Sequence, residues 1–463
     1  MRILLDQAVH DHRNKGNNAL LEVALNRLRN FWPEASFEII SISPHFCRVY
    51  IPGTHPVFPH NFEISNSLET LHRFMPRPLW RLLFELRERL HSQTKFDLTS
   101  KGLRSLLSWF RRGRQQAGLE VSFETGTDIV TESVETSQSP AELYSKIADY
   151  DLYIPTGGGY MCDSDKRFLF QMFDRVEAAV AHRVPVVMVG QGIGPMEDPD
   201  LLKRAREVLP LIDYIMIREQ HIARPLLDLL NVAQYKVIMT GDDALELGYQ
   251  ARGNKLGTGI GLSLRVAAYT QVNEKHIAAI RPVVLQAAKK YSAELIAAPI
   301  DVNEADMNHI EEIMKGHHKI LSAWQKFETT SDVIKRISRC RVMIGGTFHG
   351  AVFALSQGIP VVALAKSVEY HNKLSGLTAE FGEEGCQVID LNDKNLQEKL
   401  TDAIDFAWSV AEKLRPHLLE QTKRQIDLGY TAYQKIYDLV EIKRQTKDQD
   451  YHQSQLGQIV VSS

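Results

Sequence analysis

Short runs of apolar and β-branched residues alternate along the chain with longer segments in which apolar residues recur at helical spacing. This alternation is typical of a parallel sheet covered by helices on both faces, and it predicts a doubly wound α/β fold. In the first half the predicted strands cover 2–5, 37–42, 150–154, 184–189, 214–217 and 235–239, and the predicted helices cover 20–31, 167–182, 201–209 and 221–230.

The same alternation starts again after about residue 254. Here the predicted strands cover 259–264, 294–298, 341–344, 361–365 and 386–389, and the predicted helices cover 272–291, 307–322, 331–339, 350–357 and 396–414. We therefore predict two doubly wound domains joined by a hinge near 253–257. The first domain covers 1–253, the second covers 254–415, and a C-terminal helix and flexible tail cover 416–463.

A basic segment at 73–114 interrupts the alternation in the first domain. It holds eleven lysines and arginines against three acidic residues, so its net charge is +8, and its leucines recur at helical spacing. Amphipathic basic helices are predicted there. A packed insertion with a solvated outer face is the favoured interpretation, and peripheral contact with an anionic membrane face or acceptor is the alternative. The polar stretch at 123–140 predicts an exposed linker.

The composition narrows the class of protein. The chain has 463 residues, of which 44% are hydrophobic and 24% charged, and its net charge of −3 argues against a whole-protein nucleic-acid binder. Four widely spaced cysteines without a CxxC pair favour a reducing compartment over a disulfide framework or a zinc cluster. With no run of 18 apolar residues and no signal-peptide pattern, we expect a cytoplasmic protein.

Glycines follow the predicted strands in both halves, at 157–159, 190–194 and 345–350. Because ligands of open α/β sheets bind beyond the carboxyl ends of the strands, we expect the site in the cleft between the domains. Three consecutive glycines favour a loop that faces a ligand, although a tight turn explains them almost as well.

Several familiar motifs are missing or incomplete. The glycines at 190–194 are followed by Pro195 where a dinucleotide-binding helix should open, and Asp213 precedes the next strand instead of following it, which disfavours a nicotinamide enzyme. No HExxH, P-loop or GxSxG motif is present, so metalloproteases, P-loop kinases and typical α/β-hydrolases lose their main support. We predict neither a metal nor a cofactor.

His349 stands at the start of a predicted helix, directly after the glycine turn that ends the strand at 341–344. That position favours a catalytic or binding role over a structural one. Arg218, Arg265 and Lys373 also follow predicted strands and predict an anionic ligand, although each could instead pair with a neighbouring carboxylate. The segment Gly241-Asp242-Asp243 ends another strand and could be a helix N-cap as easily as an active-site acid.

Taken in order, these segments resemble the polysaccharide pyruvyl transferase family. They are NKGNNA at 14–19, then DLYIPTGGGY, VVMVGQGIGP, YIMIREQHI, VIMTGDDALEL, GIGLSLR and MIGGTFHGAVFALSQGIPVVAL, followed by Tyr370 and Lys373. The resemblance covers about 1–45 and 145–390. It implies two Rossmann-like domains that face each other across a cleft, similar in fold to the GT-B glycosyltransferases.

The resemblance also implies a reaction, because members of this family move a pyruvyl unit from phosphoenolpyruvate to two hydroxyls of a sugar, leaving a cyclic ketal and phosphate. The acceptor would be a cell-surface or lipid-linked glycan. His349 matches the family's motif histidine and is implied as the general acid that protonates the methylene carbon of the donor. The candidate substrate-binding residues are Arg218, Arg265, Lys373, Thr347, Gly346, Gly157, Gly158, Gly159, Gln191, Asn17 and Glu369.

One position departs from the family's pattern. Family members commonly have an arginine two residues before the motif histidine, and here that residue is Thr347. Either a nearby cation such as Arg265 substitutes for it, or the donor differs, or pyruvyl transfer has been lost. Two alternatives therefore stay open. One is a glycosyltransferase of the same architecture that uses a nucleotide sugar, with Glu369 as its ribose-binding acid. The other is a non-catalytic glycan-binding relative.

Overall fold

Parallel strands form the frame of the molecule, which we describe from a computed structural model. The structure describes residues 1–7, 13–41, 47, 51–57, 146–301, 304–321 and 328–461, all within one unit formed by 1–60 and 139–463. The predicted basic insertion at 73–114 and the predicted linker at 123–140 lie outside the described residues.

The first half of the chain builds two four-stranded sheets, with strand orders β3-β2-β1-β4 and β5-β6-β7-β8. They meet where Tyr153 forms a parallel bridge with Val186 and donates its N–H to the carbonyl of Pro185 at 3.0 Å. The strands are β1 (Arg2–Asp6), β2 (Ser36–Ile40), β3 (His55–Val57), β4 (Leu152–Pro155), β5 (Gly158–Met161), β6 (Val187–Ile193), β7 (Tyr214–Ile217) and β8 (Val237–Met239).

The second half forms one six-stranded parallel sheet with the order β11-β10-β9-β12-β13-β14. Its strands are β9 (Gly259–Ser263), β10 (Leu295–Ala297), β11 (Ile320–Leu321), β12 (Cys340–Gly345), β13 (Val361–Ala365) and β14 (Cys386–Asp390). Because β12 lies at the centre of the sheet, the turn that follows it, with His349, is placed in the middle of the carboxyl edge.

Helices connect these strands within the described ranges. They are α1 (Lys15–Phe31), α2 (Lys166–Ala181), α3 (Pro199–Val208), α4 (Ala223–Leu229), α5 (Leu245–Ala251), α6 (Glu274–Lys290), α7 (Glu304–Met314), α8 (Thr330–Ile337), α9 (Phe348–Leu355), α10 (Val368–Phe381) and α11 (Leu396–Val461). No helix in the described part of the chain is both long and apolar enough to cross a bilayer.

Successive strand residues enter different hydrophobic cores, as the pleat of a strand covered on both faces requires. In β6, Val187 and Val189 pack with α1, whereas Met188 packs with α2. In β12, Met343 packs with α9, whereas Ile344 packs with α6. Both halves therefore have helices on both faces of their sheets. The predicted fold class is confirmed.

α11 joins two segments that the sequence predicted separately. We expected a helix over 396–414 and a further helix with a flexible tail over 416–463, yet one helix continues through Pro416 to Val461. Its early turns pack on one face of the second sheet, as Leu400 does. Leu418 packs on the opposite face, and Tyr433 packs beside β1. Because apolar residues continue at helical spacing beyond Pro416, tertiary packing outweighs the hydrogen bond that the proline removes.

A buried ion pair joins β1 to α2. The Arg175 Nε lies 2.8 Å from the Asp6 Oδ2, and the Tyr153 hydroxyl donates to the same oxygen at 2.6 Å. Both charged side chains are fully buried, so each depends on the other to offset the loss of its hydration.

We expect Arg175→Met to lower the free energy of unfolding by about 3–5 kcal/mol, because Asp6 would keep its charge and its burial while losing the guanidinium. Urea unfolding followed by circular dichroism measures the change. Arg167→Met is the matched control, since Arg167 lies exposed on the same helix and its loss should cost less than about 0.5 kcal/mol. Equal effects of the two substitutions would contradict this account of the pair.

Candidate functional site

His349 lies in the first turn of α9, immediately after the turn that ends β12. Its side chain is only 8% exposed, and its imidazole packs against the first turn of α1. A Cβ placed on Gly16 would lie 2.0 Å from the His349 Nδ1, so any residue other than glycine would displace the ring. The first helix of the chain is therefore in direct contact with the motif histidine.

The first turn of α1 is held firmly in that position. Asn14 caps the helix and accepts the N–H groups of Gly16 at 2.9 Å and of Asn17 at 3.1 Å. The backbone N–H of Lys15 donates to the carbonyl of Ile300, near the end of β10, at 2.8 Å. These bonds attach α1 to the edge of the second sheet, so the two halves of the chain build the site jointly.

Arg218 follows β7 and is almost completely buried. Its guanidinium lies 3.8 Å above the centre of the Phe348 ring, and its Nη1 lies 3.3 Å from the Asp242 Oδ2. A Cβ on Gly192 of β6 would lie 2.5 Å from the Nη2, so the guanidinium rests directly on the glycine backbone. Its Nε has no hydrogen-bond partner among the described residues.

Lys373 reaches the same place from α10. Its Nζ donates to the carbonyl of Gly159 at 3.3 Å and forms an ion pair with Glu369 one turn earlier. A Cβ on Gly159 would lie 3.2 Å from the Arg218 Nη2 and 3.3 Å from the Lys373 Nζ. The two cations therefore converge on Gly159 in the first turn of chain after β4, where the predicted glycine loop is strand β5.

Burial sets the protonation states at this site. Burial, together with the nearby charges of Arg218 and Lys373, places the pKa of His349 well below its usual value. The imidazole is therefore neutral at pH 7. Burial also raises the pKa of Asp242, although Arg218 opposes that change. The His349 Nε2 lies 3.7 Å from the Asp242 Oδ2 and has no hydrogen-bond partner within the described ranges.

This arrangement suits an anion and a proton transfer. A guanidinium and an ammonium converge beside the N-terminal turn of α9, where backbone N–H groups favour negative charge. A buried imidazole beside them has one nitrogen that is free to exchange a proton. Among the described residues, no group of three His, Cys, Asp or Glu side chains is arranged to hold a metal ion.

Arg265 is not a free cation, because it is paired with two carboxylates. Its Nη1 lies 2.9 Å from Asp301 and 3.0 Å from Asp306, and its Nε donates to the Tyr269 hydroxyl at 2.7 Å. This is the carboxylate pairing that the sequence left open as an alternative. To substitute for an arginine at position 347, Arg265 would have to leave two carboxylates.

Gln191 supports the connection between β4 and β5. The Gln191 side chain is fully buried, and its amide donates to the carbonyls of Pro155 and Thr156 at 3.1 and 2.9 Å. It therefore supports the loop from below. A Cβ on Gly157 would lie 2.6 Å from the carbonyl oxygen of Gly190, so Gly157 is needed for close contact with β6. Gly158 begins β5, paired with Gln191, and only Gly159 has the two cations beside it.

The remaining candidates are Thr347, Gly346, Asn17 and Glu369, and several of them are bonded to other parts of the protein. The Thr347 hydroxyl hydrogen bonds the Ser263 hydroxyl at 2.5 Å, and the N–H of Gly346 donates to the carbonyl of Ser263 at 2.9 Å. Asn17 is half-buried in the first turn of α1, and Glu369 is paired with Lys373. Position 347 thus holds a neutral side chain that is bonded to β9.

Sequence analysis did not assign four of the residues that shape the site, namely Asp242, Phe348, Gly16 and Gly192. Asp242 was ambiguous, and in the structure it fills both of the roles considered. Its Oδ1 accepts the N–H of Ala244 at 2.9 Å, as a cap does, and its Oδ2 faces Arg218 and His349. The sequence could have indicated Asp242 through its position, since it follows β8 just as Arg218 follows β7.

We expect Gly192→Ala to weaken the binding of inorganic sulfate, a stable dianion, by about tenfold or more. The added methyl group displaces the Arg218 guanidinium, and a lost charge-assisted hydrogen bond costs on the order of 1.5–3 kcal/mol. Titration calorimetry measures the affinity. Gly253→Ala is the control, because Gly253 is exposed and a Cβ there would meet only the carbonyl oxygen of Lys255, at 3.3 Å. Unchanged sulfate affinity in Gly192→Ala would exclude Arg218 from the anion site.

Comparison with solved structures agrees with the fold. UGT73P12 of Glycyrrhiza uralensis, complexed with glycyrrhetinic acid 3-O-monoglucuronide, has a TM-score of 0.54 at 9% identity, covering 100% of this chain and 99% of that one. A putative UDP-N-acetylglucosamine 2-epimerase of Listeria monocytogenes has a TM-score of 0.51 at 11% identity, covering 90% of each chain. A glycosyltransferase of Rickettsia africae ESF-5 has a TM-score of 0.50 at 12% identity, covering 95% and 98%. At these identities the likeness concerns the fold alone, and that fold is GT-B.

The comparison with protein families assigns the chain more narrowly than the comparison of folds does. The match extends over residues 14–367, from the asparagine that caps α1 to the serine that caps α10. It therefore includes Arg218, Asp242 and His349, and it ends just before Lys373. Because it covers well over half of the sequence and both sheet regions, it shows that the chain belongs to the polysaccharide pyruvyl transferase family.

Proposed function

We propose that this protein transfers a pyruvyl group from phosphoenolpyruvate to two hydroxyls of a sugar in a cell-surface or lipid-linked glycan. The observation that supports this best is the position of His349. It is a buried imidazole beside two converging cations, at the junction of both halves of the chain. Membership of the pyruvyl transferase family supplies the reaction class.

The donor's charges suit the two cations. Phosphoenolpyruvate carries a phosphate and a carboxylate on the same carbon, and the planar guanidinium of Arg218 suits bidentate binding of either group. Lys373 offers a point charge on the other side of Gly159. Because Thr347 contributes no charge, donor binding relies on Arg218 and Lys373 together with the N–H groups of the first turn of α9.

The reaction requires a proton at a defined place. The methylene carbon of the donor gains a proton, and a sugar hydroxyl then attacks the oxocarbenium-like carbon and loses its own proton. A second hydroxyl displaces phosphate, and its proton leaves with the phosphate. His349 is the proposed donor of the first proton through its Nε2, and it regains a proton from the first hydroxyl. Burial and the two cations favour the neutral imidazole, so His349 must gain a proton when the donor binds.

The glycosyltransferase alternative has lost some of its support. It needs a free acid to hold a ribose, and Glu369, the acid proposed for that role, forms an ion pair with Lys373. Thr347 remains the observation that favours a non-catalytic relative, because no charge replaces the family's arginine at that position.

We expect phosphoenolpyruvate to raise the melting temperature of the purified protein. We also expect His349→Gln to reduce acceptor-dependent phosphate release by about 100- to 10 000-fold, the usual contribution of a general acid. Donor affinity, measured by calorimetry, should change far less, because the cations are retained. His371→Gln is the control, since His371 is a partly exposed histidine on α10 beside Asp390 and should not alter turnover.

Other outcomes would point elsewhere. A thermal shift with a nucleoside diphosphate, but none with phosphoenolpyruvate, would favour the nucleotide-sugar glycosyltransferase. Binding of glycans without binding of either donor would favour the non-catalytic relative.

A further inference from the structure

One carboxylate in the site faces two basic groups. We propose that Asp242 is a positioning residue that changes partner when the donor binds. It neutralises Arg218 in the empty site, and it stabilises protonated His349 once an anion occupies Arg218. This inference rests on the proposed function only in taking that anion to be the donor's phosphate or carboxylate.

The geometry of Asp242 permits such a change without movement of the backbone. Its Oδ1 is fixed by the N–H of Ala244 at 2.9 Å. Its Oδ2 lies 3.3 Å from the Arg218 Nη1 and 3.7 Å from the His349 Nε2. The first distance is a long hydrogen bond, and the second is an ion-pair distance that leaves the Nε2 free to gain a proton and to pass it to a substrate. A single oxygen therefore serves both groups.

Each of the two basic groups also has a nitrogen that could form a further hydrogen bond. The Arg218 Nε and the His349 Nε2 are buried and have no hydrogen-bond partner among the described residues. A buried donor without a partner costs free energy, which an incoming anion would recover. Arg218 therefore has a reason to exchange the long bond to Asp242 for shorter bonds to a ligand.

The groups around His349 make Asp242 the source of the compensating charge. Arg218, which follows β7, and Lys373 of α10 both repel an imidazolium, and α1 presents the backbone of Gly16 to the ring. The residues that flank His349 in space on α9 are Phe348 and Phe353, which are uncharged. Glu369 is bound to Lys373, and Asp242 is the one described carboxylate within 4.0 Å of His349.

Donor binding then favours the protonated form of His349, which is the acid. A dianion on Arg218 and Lys373 cancels their repulsion, and His349 takes a proton from solvent onto its Nε2, with the Asp242 carboxylate beside it. In the chemical step the Nε2–H bond breaks and a C–H bond forms at the methylene carbon of the donor, which leaves the imidazole neutral. The enzyme is thus protonated for catalysis only when the donor is present.

The first test uses inorganic sulfate, because it stays a dianion across the pH range of interest and any linked proton belongs to the protein. Calorimetry at pH 7 in buffers of different ionisation enthalpy measures that proton. We expect wild-type protein to take up about half to one proton per sulfate, as a histidine whose pKa rises to near or above 7 does. We expect His349→Gln to take up none. Absence of uptake in the wild type, or full uptake in His349→Gln, would overturn the inference.

The second test uses Asp242→Asn. Arg218 would no longer be neutralised, so sulfate should bind as tightly as before or about threefold more tightly, with proton uptake at least halved. In acceptor-dependent phosphate release, kcat should fall about tenfold with no rise in KM, and the alkaline limb of the kcat profile should move down by about one pH unit or more. Asp213→Asn is the matched control, because Asp213 precedes β7, at the end of that strand opposite to Arg218, and pairs with Lys443.

A purely structural role for Asp242 predicts the reverse pattern. If Asp242→Asn weakens sulfate binding tenfold and keeps wild-type proton uptake, the carboxylate only holds Arg218 in place, and the inference is wrong. The sulfate measurements need no turnover. Linked uptake in a protein that never releases phosphate from phosphoenolpyruvate would therefore support this inference and refute the proposed function. Turnover without linked uptake would do the opposite.

Discussion

Compensation of buried charge is the constraint on which this structure depends. The turn after β8 carries two adjacent carboxylates that face different partners. Asp243 lies 2.7 Å from the Arg27 guanidinium of α1 and accepts the Tyr433 hydroxyl of α11 at 3.2 Å, whereas Asp242 faces Arg218 and His349. Since a buried charge without a partner is costly, each of these helices and strands must remain where its partner is. The same turn therefore fixes the scaffold and serves the candidate site.

The sequence was sufficient for the architecture because burial on both faces of a sheet leaves a repeating pattern. The sequence also predicted that His349, Arg218 and Lys373 lie in one site, since the carboxyl ends of parallel strands and the helices that follow them meet at one edge of the sheet. It could not place Arg265, whose partners Asp301 and Asp306 are set by the fold and not by local spacing.

Other features left weak signals or misleading ones. β5, whose sequence is GGYM, lacks the β-branched residues of a strand and forms because its neighbour β6 supplies the pairing. The helices predicted before and after position 415 form one helix, because the apolar stripe continues through Pro416. Gln191 was a substrate-binding candidate in the sequence and is an internal support in the structure, because only the fold reveals the four acceptors around its amide.

Family membership and the GT-B fold agree, yet neither explains how a neutral imidazole could act as the acid proposed for it. The local chemistry suggests an answer in the arrangement of charges. Burial and two nearby cations hold the pKa of His349 low, and the carboxylate that balances one of these cations lies within reach of the ring. A substrate that neutralises the cations would change the state of the histidine without any large rearrangement. Thr347, bonded to Ser263, leaves this balance to fewer charges than the family's pattern provides.

α11 gives the molecule a mechanical property. At about 1.5 Å per residue, its 66 residues form a rod of roughly 100 Å that contributes side chains to three separate hydrophobic cores, on both faces of the second sheet and beside β1. A rod seated in three cores cannot rotate freely at any one of them. Separation of the two halves at His349 would have to bend this helix or shear its contacts, so the stiffness of the helix limits how widely the halves can part.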